Sequence, residues 1–135
     1  MQMRIKKVSN PKRVLLVVFV FTLIATIAFL MPSTSIPKIK IDTPIELDKL
    51  VHVGIHFVLA FCWLFYYALR NSKMKFSNVL YIALACVFYG ILIEMLQGTT
   101  KTRSSDLADV CANMIGTGLG VLGFLVLKCK ILMKA

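Results

Sequence analysis

Acidic side chains are scarce in this sequence: six in 135 residues, against 16 lysines and arginines, for a formal net charge of +10. The four cysteines (Cys62, Cys86, Cys111 and Cys129) include no CxxC pair. That argues against a disulfide framework or a cysteine zinc site and leaves them as small apolar packing residues. Internal repeats and low-complexity tracts are absent. So are a recognised nucleophile motif and a strict metal-ligand spacing; the sequence therefore assigns no metal and names no cofactor.

What the chain has in excess is apolar surface. Its apolar fraction is 59%, above the roughly 45–50% of soluble domains, and the mean hydropathy is +0.82. Four runs carry it: Val14–Met31, Leu50–Leu69, Val79–Leu96 and Leu107–Leu127. Each holds 18 to 21 residues, enough at about 1.5 Å per residue to cross a hydrocarbon core about 30 Å thick. Lipid offers backbone amides no partners, and four short segments cannot close a barrel, so the expected form is helical. The fold class read from these runs is all-α, an integral membrane four-helix bundle. The first run has the basic start of a signal peptide. It is longer than the usual apolar region, however, and no small-x-small cleavage site follows, so it reads as a retained helix.

A charge of +10 suggests nucleic acid until its placement is considered. Arg4, Lys6, Lys7, Lys12 and Arg13 precede the first run, Arg70, Lys73 and Lys75 join the second to the third, and Lys128, Lys130 and Lys134 follow the last. Lys38, Lys40, Lys49, Lys101 and Arg103 fall on the other side. The bias predicts cytoplasmic N and C termini, with loops 1 and 3 facing outward across the cell membrane. Anionic lipid, not nucleic acid, is then the partner of the basic ends. The division expected is a basic segment at 1–13, one transmembrane domain at 14–127 and a basic tail at 128–135, both flanks cytoplasmic.

This topology gathers polar residues at one level. Loop 1 is broken by Pro32, Pro37 and Pro44, while loops 2 and 3 are short and make antiparallel neighbours of the helices they join. Helix 2 starts on the outer side with Asp48, Lys49 and His52, and helix 3 ends there with Glu94 and Gln97. Helix 4 begins there with Asp106, Asp109 and Asn113, and Arg103 lies just before it. All six acidic residues, including Asp42 and Glu46, fall in this half. Asp48, His52 and His56 are four apart and share a stripe. Glu94 and Gln97 share another, with Gly90 a turn below. Asp109, Asn113, Gly116 and Gly120 make a third, whose Gly116-x-x-x-Gly120 permits close approach of another helix.

Plainer roles exist for several of these residues. Asp106 can simply cap helix 4, with Asp109 favoured in its first turn by the dipole, and Lys49 and Arg103 can be snorkelling anchors. His56 can be no more than a hydrogen-bonded bundle residue. Glu94 resists such a reading, because GILIEMLQ sets a carboxylate among apolar neighbours. It needs a partner, for which Arg103, Lys49 or a protonated histidine are available.

The ordered set Asp48-Lys49-x-x-His52, Glu94-x-x-Gln97 and Arg103-x-x-Asp106-x-x-Asp109-x-x-x-Asn113-x-x-Gly116-x-x-x-Gly120 resembles the VanZ family. The family takes its name from a small membrane protein associated with resistance to the glycopeptide antibiotic teicoplanin. The resemblance spans residues 48 to 120. Val53, Gly98-Thr99-Thr100 and Ser105 stand where members often carry aromatic residues, and His56 is an addition. The resemblance implies a cell-envelope membrane protein and supplies no mechanism.

Three active roles suit these residues, beside that of a non-catalytic membrane partner that alters envelope composition or blocks antibiotic access while the ionic cluster only organises the bundle. An outward polar site can bind an anionic lipid head group, a cell-wall precursor or a glycopeptide, with Lys49 and Arg103 on phosphate. Such a site can also hydrolyse or transfer, using His52, Glu94 and Asp109 as base, acid or metal ligands. A small ion- or proton-coupled carrier can use Glu94 and His56 as relay groups, but it needs polar groups at both ends, and the cytoplasmic half is apolar. The expectation adopted is an outward site that binds an anionic or amphiphilic ligand, through Asp48, Lys49, His52, Glu94, Gln97, Arg103, Asp106, Asp109 and Asn113.

Overall fold

The computed structural model describes residues 10–31, 47–71, 73–100 and 105–133. Loop 1 with its three prolines, Ser72, and the segment carrying Lys101 and Arg103 lie outside the described residues. The described chain forms four helices and no strand: α1 (Pro11–Leu30), α2 (Leu47–Arg70), α3 (Phe76–Gly98) and α4 (Leu107–Met133). All four are long and apolar enough to cross a membrane. The protein is an all-α polytopic membrane protein.

The helices outrun the apolar runs that announce them. α1 begins at Pro11 because a proline needs no amide partner in a first turn, and Asn10 Oδ1 accepts from the Lys12 amide at 3.0 Å. α2 adds Leu47, Asp48 and Lys49 before its run, and Arg70 after it. α4 continues through Lys128 and Lys130 to Met133, well into the segment read as a tail. Hydropathy marks only the residues that suit hydrocarbon. Backbone hydrogen bonding carries each helix on into the interface, where charged side chains find water.

The helices assemble as a four-membered bundle in which α2 and α3 each pack against all the others, while α1 and α4 scarcely meet. The most extensive pairing is α2 with α4. Glycine makes it close: a Cβ at Gly116 would meet the Val53 carbonyl oxygen, lie 2.9 Å from Val53 Cα and 3.0 Å from His56 Cβ. A Cβ at Gly120 would meet the Phe57 carbonyl oxygen and stand 3.0 Å from Ala60 Cβ. Dispersion between closely packed backbones, not exclusion of water, is what joins helices in lipid.

One half of the bundle is apolar inside. Leu64, Ala68, Val79 and Phe124 form one buried cluster and Leu59, Ala60 and Cys86 another, with Phe61, Phe65 and Trp63 packed around them. The outer faces carry Leu16, Phe19, Leu84, Phe88, Ile115 and Leu122, all exposed, as a lipid-facing surface requires. Cys111 and Cys129 are exposed on α4 and Cys86 is buried on α3, and all four cysteines are free thiols.

Candidate functional site

The other half of the interior is polar. His52, His56, Glu94, Gln97, Asp109, Asn113 and Thr117 are all buried, each at most 7% exposed. They come from the start of α2, the end of α3 and the start of α4, and the end of α1 closes the fourth side. Gln97 donates from Nε2 to the Phe29 carbonyl at 2.7 Å, a carbonyl left open at the last turn of α1. The Phe29 ring lies over His52, with centroids 4.6 Å apart, and 6.2 Å from His56.

His52 is the hub. Its Nδ1 is 3.0 Å from Asn113 Oδ1 and 3.5 Å from Glu94 Oε1, so α2, α3 and α4 meet at one ring nitrogen. His56, one turn deeper, sets Nδ1 3.4 Å from Thr117 Oγ1, and its ring centroid is 5.8 Å from that of Tyr89. Tyr89 in turn shares a 2.8 Å hydrogen bond with Thr26 of α1. Gly90 admits these rings: a Cβ there would lie 2.7 Å from His56 Cε1 and 3.0 Å from Asn113 Cβ.

At the rim, Asp106 accepts from the Ala108 amide at 2.9 Å and so caps α4. Its other carboxylate oxygen, Oδ2, is 3.8 Å from Lys49 Nζ. Both side chains are partly exposed, a setting in which such pairs contribute little, about 0–1 kcal/mol. Asp48 is exposed, Asp109 is buried, and ligand atoms of Asp48, His52 and Asp109 lie within 4.8 Å of one another.

Six buried polar atoms have no hydrogen-bond partner among the described residues: Nε2 of His52 and of His56, both carboxylate oxygens of Glu94, Oδ1 of Asp109 and Nδ2 of Asn113. Each such atom costs about 1–3 kcal/mol when left unsatisfied. Their concentration at one end contrasts with the apolar clusters of the other.

Of the residues singled out in the sequence, the fold brings His52, Glu94, Asp109 and Asn113 together at the centre and Asp48, Lys49 and Asp106 at the rim. It turns Gln97 toward α1 and uses Gly90, Gly116 and Gly120 for close approach. Arg103 lies outside the described residues; among those described, His52 stands beside Glu94. Sequence reasoning missed Phe29, Tyr89 and Thr117. Thr117 had a signal, since it follows Asn113 by four and extends the same stripe. Phe29 and Tyr89 had none, because aromatic residues in an apolar helix look alike whether they face lipid or a neighbour.

A polytopic bundle whose buried polar groups, among the described residues, are confined to one end defines a class of small membrane protein. The sequence profile described as VanZ/LLP1 matches residues 2–128, and the chain belongs to that family. The match takes in α1 as well as the motif-bearing helices, and α1 supplies Phe29 to the polar end. Neither a curated protein nor a solved structure matches the chain.

Proposed function

We propose that the polar end faces outward across the plasma membrane and binds an anionic lipid head group or a related cell-wall precursor. This would give the protein a role in the envelope, of the kind the family's link with teicoplanin resistance implies. The observation that supports the reading is the set of six buried polar atoms at one end that make no hydrogen bond among the described residues. Polar atoms held away from water call for a partner: the hydroxyl groups of a head group such as glycerol can donate to the carboxylate and imidazole acceptors, and a phosphate oxygen can accept from Asn113 Nδ2. Lys49 at the rim, with Arg103 from the preceding segment, would meet the phosphate as point charge and fork. The apolar clusters around Leu64 and Leu59 favour a one-sided site over a carrier's path.

Binding is tested with the detergent-purified protein and vesicles of phosphatidylcholine with and without phosphatidylglycerol. Preferential retention of phosphatidylglycerol, reduced at least tenfold in Asn113→Ala, is the expected result; retention that ignores the head group would remove the reading. In a teicoplanin-susceptible host, expression is expected to raise the inhibitory concentration for wild type and not for Asn113→Ala.

Orientation has its own test. In a cysteine-free background in intact cells, a cysteine at Thr99, beyond α3, is expected to react with an impermeant thiol reagent. One at Lys73, between α2 and α3, is expected to stay unlabelled until the cells are broken. The reverse pattern would place the polar end in the cytoplasm.

A further inference from the structure

We propose that Asp48, His52 and Asp109 form a binding site for one divalent transition-metal ion, of the zinc or manganese class. Asp48 and His52 are four residues apart, so α2 presents a carboxylate and an imidazole on one face. Asp109 comes from the first turn of α4, the helix packed most extensively against α2. One ligand atom from each lies within 4.8 Å of the others. Metal–nitrogen and metal–oxygen bonds are about 2.0–2.2 Å, so ligands on opposite sides of an ion stand about 4 Å apart. Small side-chain rotations close the site around an ion.

The state of His52 argues for a ligand beyond mere proximity. Nδ1 faces two acceptors, Asn113 Oδ1 at 3.0 Å and Glu94 Oε1 at 3.5 Å. Neither a carboxylate nor an amide oxygen donates, so Nδ1 is the ring nitrogen that serves these two acceptors and Nε2 is the one left for a ligand. Nε2 is buried and makes no hydrogen bond among the described residues. A histidine held through one nitrogen by an oxygen acceptor, here Asn113 Oδ1 with Glu94 alongside, and with its other nitrogen open, is the usual arrangement of a metal-binding imidazole. Asp109 Oδ1 is likewise buried without a hydrogen bond.

Charge points the same way. Asp48, Glu94, Asp106 and Asp109 all lie at this end, and Lys49 is the one lysine or arginine there among the described residues. A dication would offset two of the four carboxylates. Imidazole with carboxylates suits zinc or manganese, whereas magnesium and calcium favour oxygen donors alone. The exposed Asp48 leaves the ion a way in from the rim. Three protein ligands also leave a coordination position open for water or for an oxygen of a bound anion. Asp48, His52 and Asp109 would thus hold the ion, while Asn113 and Glu94 act as positioning residues through His52.

The site deepens the head-group reading, since an ion here would attract phosphate into an otherwise acidic pocket, but it is tested without lipid. Untagged, cysteine-free protein is treated with chelator in detergent and titrated with Zn2+ or Mn2+ alone, with Mg2+ for comparison. Calorimetry and elemental analysis follow binding, and a thermal shift reports stabilisation. Saturable uptake of about one Zn2+ or Mn2+ per chain, with no Mg2+ response, is the expected outcome. Asp48→Asn, at an exposed position, is expected to weaken affinity at least tenfold. Asn113→Ala is expected to weaken it roughly 10–100-fold by freeing the imidazole. No stoichiometric uptake, or uptake that Asp48→Asn leaves unchanged, would overturn the site. Metal uptake without phosphatidylglycerol retention would sink the head-group reading alone. Lipid retention by metal-free protein that takes up no ion would sink the metal site alone.

Discussion

Replacing Gly116 by alanine is expected to lower the stability of the detergent-purified protein by about 2 kcal/mol, while the same change at Gly118 leaves it unchanged or slightly higher. The two glycines are two residues apart on α4, with the same intrinsic gain of about 0.5–1 kcal/mol from alanine in a helix. Only their surroundings differ. A Cβ at Gly116 would meet the Val53 carbonyl oxygen and stand 2.9 Å from Val53 Cα. Both are backbone atoms, which cannot rotate aside as a side-chain tip can, so α2 must move away from α4. Overpacking of this kind costs about 1–3 kcal/mol, and a backbone obstacle belongs at the upper end. At Gly118 nothing lies within 4 Å, and a methyl group enters open space. Thermal unfolding followed by circular dichroism compares the two directly. Equal midpoints for Gly116→Ala and Gly118→Ala would mean that α2 and α4 do not approach as closely as described. Because His52 and Asn113 sit on these two helices, Gly116→Ala should also weaken any ligand that the polar end holds.

The second large effect concerns His52 and Glu94, 3.5 Å apart with each side chain only 1% exposed. Changing either alone leaves the other in a dry interior without its counterpart. Leaving one member of a buried polar pair unsatisfied costs about 1–3 kcal/mol, more where it is charged, whereas replacing both with apolar groups of similar shape is often close to neutral. The expected pattern is therefore a marked loss for His52→Leu and for Glu94→Leu, and a double variant well above the sum of the two. A coupling energy of at least about 1 kcal/mol from the double-mutant cycle, measured in detergent with chelator present, is the result to look for. Strictly additive losses would mean that the imidazole and carboxylate do not sense each other, and the cluster would lose its central contact. Stability of the double variant together with lost ligand retention would assign the pair to function and not to folding.

Glu94 also shows how far local reasoning reaches. From GILIEMLQ alone the carboxylate needs a partner, and that need is a property of the residue and its apolar neighbours. Which group answers depends on how far apart three helix ends stand. Arg103, nine residues on, Lys49 and a histidine all satisfy the chemistry. Among the described residues it is His52 that stands beside Glu94, because the α2–α4 approach at Gly116 and Gly120 draws the start of α2 inward, and Gly90 lets α3 follow.

The sequence by itself determined the four helices, since runs of 18 to 21 apolar residues admit no other spanning structure in lipid. It also determined that the polar residues lie at one level, because span order and the positions of Asp48, Glu94 and Asp109 leave no other height. Even the stripes were legible: a helix puts residues three and four apart on one face whatever surrounds it. The tertiary structure decided the rest. It joined His52 to Asn113 and Glu94, brought Asp48 and Asp109 within reach of one ion, and enlisted Phe29, Tyr89 and Thr117, which no motif announced. The reason is that helical periodicity is written in the backbone and costs nothing to read. The choice of which face meets which is made between helices, by whether two backbones can touch without a Cβ between them.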